Sequence, residues 1–185
     1  MIVENFYWDS DNHSVNWEYN GKTIFKKLEN AHFASVNIER KFIYVEAGYN
    51  FSQDQIYEYS FDGNLIFKVD TTSDKIVWRY KNQLIEIKEK SIKSAQIYFE
   101  QSILMLIVGQ NQGDLKLRGY ALDGLFLFEK APKSGFDFMY LSSINNSPSV
   151  VCDGGNNKMD AFGRSIWHFA INPQTGELIK KNLAY

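Results

Sequence analysis

The chain has a single cysteine, Cys152, so no intramolecular disulfide can staple it and its stability must come from a buried core. Cys152 itself lies in SVVCDG beside two valines and reads as a small buried strand residue, not a reactive thiol. Only 3 prolines are present, with no Pro-, Ser- or Gly-rich linker, which favours one domain over residues 1–185. The first 21 residues contain no lysine or arginine, a pattern unlike a secretory signal or an arginine-rich transit peptide. The longest apolar run, ILMLIV from Ile103 to Val108, is far short of the roughly 20 residues that span a bilayer. A soluble cytoplasmic protein without a membrane contact is expected. The net charge of −2 lacks the clustered basic residues of a nucleic-acid footprint. Sustained helical periodicity is also missing; even KNQLIEIKEKSIKSAQ alternates with period two through LIEI and reads as strand.

What the chain does have is aromatic content, 16% of residues, and a recurring pattern. WEYNGKTIFK from Trp17, YSFDGNLIFK from Tyr59, YALDGLFLFE from Tyr120 and FAINPQTGELIK from Phe169 each read as strand, turn, strand. Asn-Gly and Asp-Gly are strong hairpin signals, because a type I′ turn needs positive φ at both central positions. The four turns are therefore expected to be equivalent, with positive φ at Gly21, Gly63 and Gly124. A second motif follows the first three hairpins and closes on Gly48, Gly109 and Gly154, giving four strands per unit. The hairpin glycines Gly21, Gly63, Gly124 and Gly176 are 42, 61 and 52 residues apart. If the alternating segment Lys75 to Lys88 is an insertion, the period falls near 42, the length of a β-propeller blade.

One stretch carries a likeness to a known family. In MDAFGRSIWHFAINPQTGEL, residues Asp160, Ala161, Gly163 and Trp167 stand where an Asp, a small residue, a Gly and a Trp stand in the family pattern. The chain thus resembles quinoprotein-like β-propeller repeats, well over this repeat and loosely over the other three. The resemblance implies a fold and not redox chemistry, since no counterpart of that family's charged cofactor pocket is found. The expected fold is all-β, a small propeller-like array of about four antiparallel sheets. Closure would come from the N-terminal strand, Ile2 to Trp8, joining the last hairpin and hiding two edges. The alternative is an open stack of antiparallel sheets.

Chemistry is sparse. His13, His32 and His168 are scattered, with no metal-ligand spacing. The loop DGGNNKMD, Asp153 to Asp160, lacks the spacing and terminal Glu of an EF-hand and reads as a connection. No nucleophile elbow or phosphate-cradling glycine loop is present. No metal, cofactor or catalytic residue is expected. The segment 1–21 holds Glu4, Asp9, Asp11 and Glu18 among Phe6, Tyr7, Trp8, Trp17 and Tyr19. An acidic, aromatic surface of this kind attracts and anchors a basic protein. The expected function is a non-catalytic binding domain of the bacterial immunity or inhibitor type that caps a basic toxin or enzyme. Its candidate contact residues are Trp8, Asp9, Asp11, Trp17 and Glu18. Trp78, beside Arg79, is a further candidate anchor. The alternative function is a small-molecule or carbohydrate binder, or an enzyme, using a propeller channel.

Overall fold

The computed structural model describes residues 3–184. The chain divides into two compact units, Met1–Lys88 and Glu89–Tyr185. In the first, β1 (Glu4–Asp9), β2 (Ser14–Tyr19) and β3 (Lys22–Lys27) form a three-stranded sheet. The six strands that follow form one sheet in sequence order: β4 (Ala31–Asn37), β5 (Phe42–Ala47), β6 (Gln55–Ser60), β7 (Leu65–Asp70), β8 (Lys75–Tyr80) and β9 (Gln83–Lys88). The second unit has two four-stranded sheets. One is β10 (Ile92–Tyr98), β11 (Ile103–Val108), β12 (Lys116–Ala121) and β13 (Phe126–Lys130). The other is β14 (Asp137–Ile144), β15 (Ser147–Asp153), β16 (Ile166–Ile171) and β17 (Leu178–Leu183). All pairings are antiparallel between consecutive strands, so the fold is all-β with four open meander sheets.

Ring closure by the N-terminal strand does not occur in this form. β1 pairs with β2, Trp8 opposite Val15 and Asp9 opposite Ser14, and not with β16 or β17. The physical reason is local: a four-residue connection brings β1 back onto β2, and a short loop is cheaper to close than one spanning the whole chain. Ile2, also assigned to that closing strand, lies outside the described residues. None of the four sheets is closed, in agreement with the alternative of open antiparallel sheets.

Alternation sorts the side chains. In the first unit Val15, Trp17, Ile43, Val45, Tyr59 and Phe61 share one core between the three-stranded and six-stranded sheets. The Trp17 indole, 0% exposed, donates to the Phe61 carbonyl at 2.6 Å. The His13 imidazole donates through Nδ1 to the Ala31 carbonyl at 2.7 Å. In the second unit Ile103, Met105, Ile107, Leu117, Phe138, Val150, Cys152 and Phe169 form the core, and the Tyr98 hydroxyl reaches the Ser142 carbonyl at 2.6 Å. Within β12, Gly119 lies opposite Phe128, whose ring occupies the space a Cβ would take, 2.4 Å from that point. A strand glycine here marks close approach of a neighbouring aromatic.

The four hairpins are not equivalent, although Gly21, Gly63 and Gly124 do have positive φ, at 72°, 86° and 93°. Asn20-Gly21 is a two-residue turn with both φ positive, as type I′ requires. At Gly63 the amide bonds back to the Ser60 carbonyl and Ser60 pairs with Asn64, a longer loop with a bulge, and Gly124 repeats it between Ala121 and Leu125. The Gly176 loop is longer again, its amide bonding to the Asn172 carbonyl. Asp62 and Asp123 do not enter the left-handed region, so Asp-Gly here closes a bulged turn.

The segment Lys75 to Lys88 is not an insertion. At an offset of 61 residues it matches β2–β3: Trp78 repeats the buried Trp17, and the turn Lys81-Asn82 repeats Asn20-Gly21 with φ of 46° and 63°. The same offset relates His13 to Asp74, Asn30 to Ser91 and Lys41 to Ser102, all at positive φ. Gly48 donates to the Asn30 carbonyl and Gly109 to the Ser91 carbonyl, each at 3.0 Å. Asp9 and Asp70 both cap the turn that follows them.

Gly63 and Gly113 separate backbone strain from crowding. Both have left-handed φ, 86° and 91°, but a Cβ on Gly63 would lie 2.8 Å from Ile24 Cγ2, whereas one on Gly113 meets nothing within 4 Å. Gly113→Ala is expected to lower stability by about 1 kcal/mol through φ alone, and Gly63→Ala by more. Denaturant midpoints for the two variants check this; equal losses would contradict it.

Candidate functional site

The three-stranded sheet presents its outer face to solvent. Register puts Tyr7, Asn16 and Phe25 in one cross-strand row, and Glu4, Glu18 and Thr23 in the next. Directly opposed residues on antiparallel strands project to the same side. Tyr7 and Phe25 are 58% and 60% exposed. Glu4 and Glu18 are therefore like charges facing one another, an arrangement that is destabilising by itself. Among the described residues neither makes an ion pair with a lysine or arginine. A bulge with Asn5 at φ 49° lies between Glu4 and Tyr7 and keeps both on this face despite their odd spacing.

The sequence-predicted residues divide around this face. Glu18 is on it. Trp17 is not: its side chain is wholly buried in the core, and no partner can touch it. Trp8 is half-buried and packs against the same core, and Trp78 is fully buried. Indole sits on the inner side in each case because Trp8 and Trp17 have the alternation of Val15, with the large apolar ring turned from water. Asp9 holds the β1–β2 turn together. Its Oδ1 accepts from the amides of Asp11 and Asn12 at 3.1 and 3.0 Å, and Oδ2 from the Asn12 side chain at 2.9 Å. The Asn12 side-chain bond, then these amides, hold its carboxyl below the usual range. Asp11 is exposed at the tip of that turn. Tyr7 and Phe25 are not among the expected contacts; period two sets them apart from Trp8 and Ile24, but the burial of the Trp17 side decides that theirs is the face in water.

Other polar residues are engaged in structure. Asp153 accepts from the Gly155 amide and the Ser165 hydroxyl at 2.9 and 2.6 Å. Asp160 accepts from the amides of Phe162 and Arg164 and pairs with the Arg164 guanidinium, which holds its carboxyl down at about 2. These bonds tie the DGGNNKMD loop into a connection between β15 and β16. Burial pushes the Cys152 thiol up to about 12, so it stays protonated and unreactive. In the second unit Arg118 bridges Glu89 and Glu129, and the Tyr120 hydroxyl also donates to Glu89. Among the described residues no three His, Cys, Asp or Glu side chains converge as a metal site would need.

No protein-family profile matches the chain, and no curated protein does. Among solved structures it is similar to a functionally unknown protein from Desulfotomaculum acetoxidans DSM 771, at 9% identity and a TM-score of 0.38, covering 96% of this chain and 50% of that one. It is similar also to a chain of a mitotic checkpoint complex, at 9% identity and a TM-score of 0.42, covering 92% of this chain and 60% of that one. The chain thus spans between half and two thirds of the length of either.

Glu58 on β6 stands between Tyr44 of β5 and Phe67 of β7. The Tyr44 hydroxyl donates to Glu46 at 2.8 Å. Burial raises the Glu58 carboxyl to about 7, with Arg40 pulling the other way. Its folded pKa lies above its unfolded one, so the folded state binds the proton more tightly. The stability this supplies is complete at acid pH and lost as pH rises through about 7. Glu58→Gln is expected to melt above the wild type at about pH 8, by at most about 3 kcal/mol, with the gap closing toward pH ~4. Parallel melting curves across that range would contradict it.

Proposed function

We propose that the protein is a non-catalytic protein-binding domain of the immunity or inhibitor type, cytoplasmic, which caps a basic toxin or enzyme with the outer face of β1–β3. The observation that carries this reading is the pair Glu4 and Glu18, opposed on neighbouring strands without a cation beside two exposed aromatic rings. A lysine or arginine from a partner lying between the two carboxylates turns their repulsion into attraction. Tyr7 and Phe25 supply the rigid amphipathic and apolar anchors that dominate binding energy at protein interfaces. Asp11, at the turn tip, adds to the field that steers a basic partner. A meander of short antiparallel strands carries this face, and a propeller-like arrangement of the four sheets is part of the same proposal.

The charge pair gives a test in which stability and binding move in opposite directions. Glu18→Lys places a cation opposite Glu4 and is expected to raise stability by about 0.2–1 kcal/mol. The same change should abolish salt-sensitive capture of a basic protein from the native lysate. Tyr7→Ala should weaken capture at low and moderate salt alike with little change in melting. If Glu18→Lys and wild type retain the same proteins at both salt levels, the face is only solvated surface.

A further inference from the structure

The second unit carries a surface of the opposite character. Lys180 on β17 places its ammonium 3.4 Å from the centre of the Trp167 ring and 5.4 Å from that of Phe136. Lys158 lies over Phe136 as well, at 5.9 Å, and its carbonyl accepts the Trp167 indole N–H at 3.2 Å. Both rings pack on the core of that unit. The two cations therefore rest on fixed aromatic supports, which lowers the entropy lost when they meet an anion. A hollow of about 330 Å³, which meets β17 at Leu178, is lined by Lys130, Lys133, Thr175 and Gly176, with Glu177 as its acid. None of these four lysines makes an ion pair among the described residues, and all four are exposed.

We propose that this ring-mounted cationic surface is a second docking site, and that its occupant is the acidic outer face of β1–β3 on a second copy of the chain. Charge complementarity argues for that occupant. Register puts Glu4, Asp9 and Glu18 on the outer side with one lysine, Lys27, while Lys22 and Lys26 share the side of Ile24, and the opposed Glu4 and Glu18 supply the negative charge that the ring-mounted cations would meet. The contact is heterologous: one copy's acidic face meets the other's basic surface, leaving one of each free, so assembly proceeds head to tail. It shares the acidic face with the function proposed above and would compete with a basic partner for it, but it uses the basic surface, which that reading does not.

The test is sedimentation of the whole chain at low and moderate salt, with melting curves recorded for every variant. Wild type should gain mass with concentration at low salt and lose it when ions screen the contact, since the Debye length falls to about 10 Å at 0.1 M. Lys158→Glu with Lys180→Glu should weaken association at least about tenfold, and so should Glu18→Lys. Mixing those two folded variants should restore a heterodimer, because each keeps the surface the other has lost. Wild type that stays monomeric at low salt, or a mixture that does not pair, overturns the proposal. The lysine variant should still capture a basic foreign partner. Loss of self-association with capture intact separates this contact from the function, and capture lost with self-association intact in a foreign lysate would discard the function alone.

Discussion

The hydrogen bond from the Trp17 indole to the Phe61 carbonyl joins residues 44 apart in sequence at the centre of the first core. A buried indole of this size is worth on the order of 3–5 kcal/mol against alanine, and its N–H must find an acceptor if it is to be buried at all. Phe61 offers one because its carbonyl lies in the bulged turn before Gly63, where the ladder leaves it unclaimed. The three-stranded sheet is thereby fixed against the six-stranded one, with Val15 and Trp17 inward. The outward positions of β1–β3 follow: Tyr7, Phe25 and Glu4 are exposed and Glu18 is half-buried, on the side that Val15 and Trp17 do not occupy.

The same economy of geometry appears at the turns. Positive φ falls on residues with no glycine's freedom, such as Lys41, Asp74, Lys81, Ser91 and Ser102. Each is held there by the strand pairing on either side, and several recur at an offset of 61 residues. Short carboxylate-capped turns at Asp9, Asp70 and Asp160 satisfy the amides that such tight connections leave without ladder partners. Asp9 thus belongs to the scaffold of its turn, while Glu4 and Glu18, paired across β1 and β2, cap none.

Much of the fold was legible. Alternation in LIEI and in SVNWEY marked strands, Asn20-Gly21 marked its turn type, and Cys152 between valines marked a buried position. The hairpin turns were legible only as turns. Asp62-Gly63 and Asn20-Gly21 look alike as dipeptides, but the bulge register of β6 and β7 makes the first a longer loop. The repeat of 61 residues was concealed because its most faithful pair, Trp17 with Trp78, sits in segments where the turn changes from Asn-Gly to Lys-Asn. Of the candidate contact residues, Asp11 is exposed and Glu18 is half-buried on the outer side of its strand, whereas Trp17 went to the core. The misreading came from taking an acidic neighbour as a sign of exposure; in a strand, neighbours point to opposite faces.

The sequence by itself determined that this chain forms β-strands and turns, because both are written in short-range terms: period-two alternation, β-branched and aromatic content, and residues tolerant of positive φ. Which face of each strand meets water is not a local property. Glu4 opposes Glu18, and Tyr7 shares a row with Phe25, only because a bulge at Asn5 and the registers of three strands bring them level. That decision belongs to the tertiary structure, where burial of Trp17 sets the direction in which every other residue of the sheet must point.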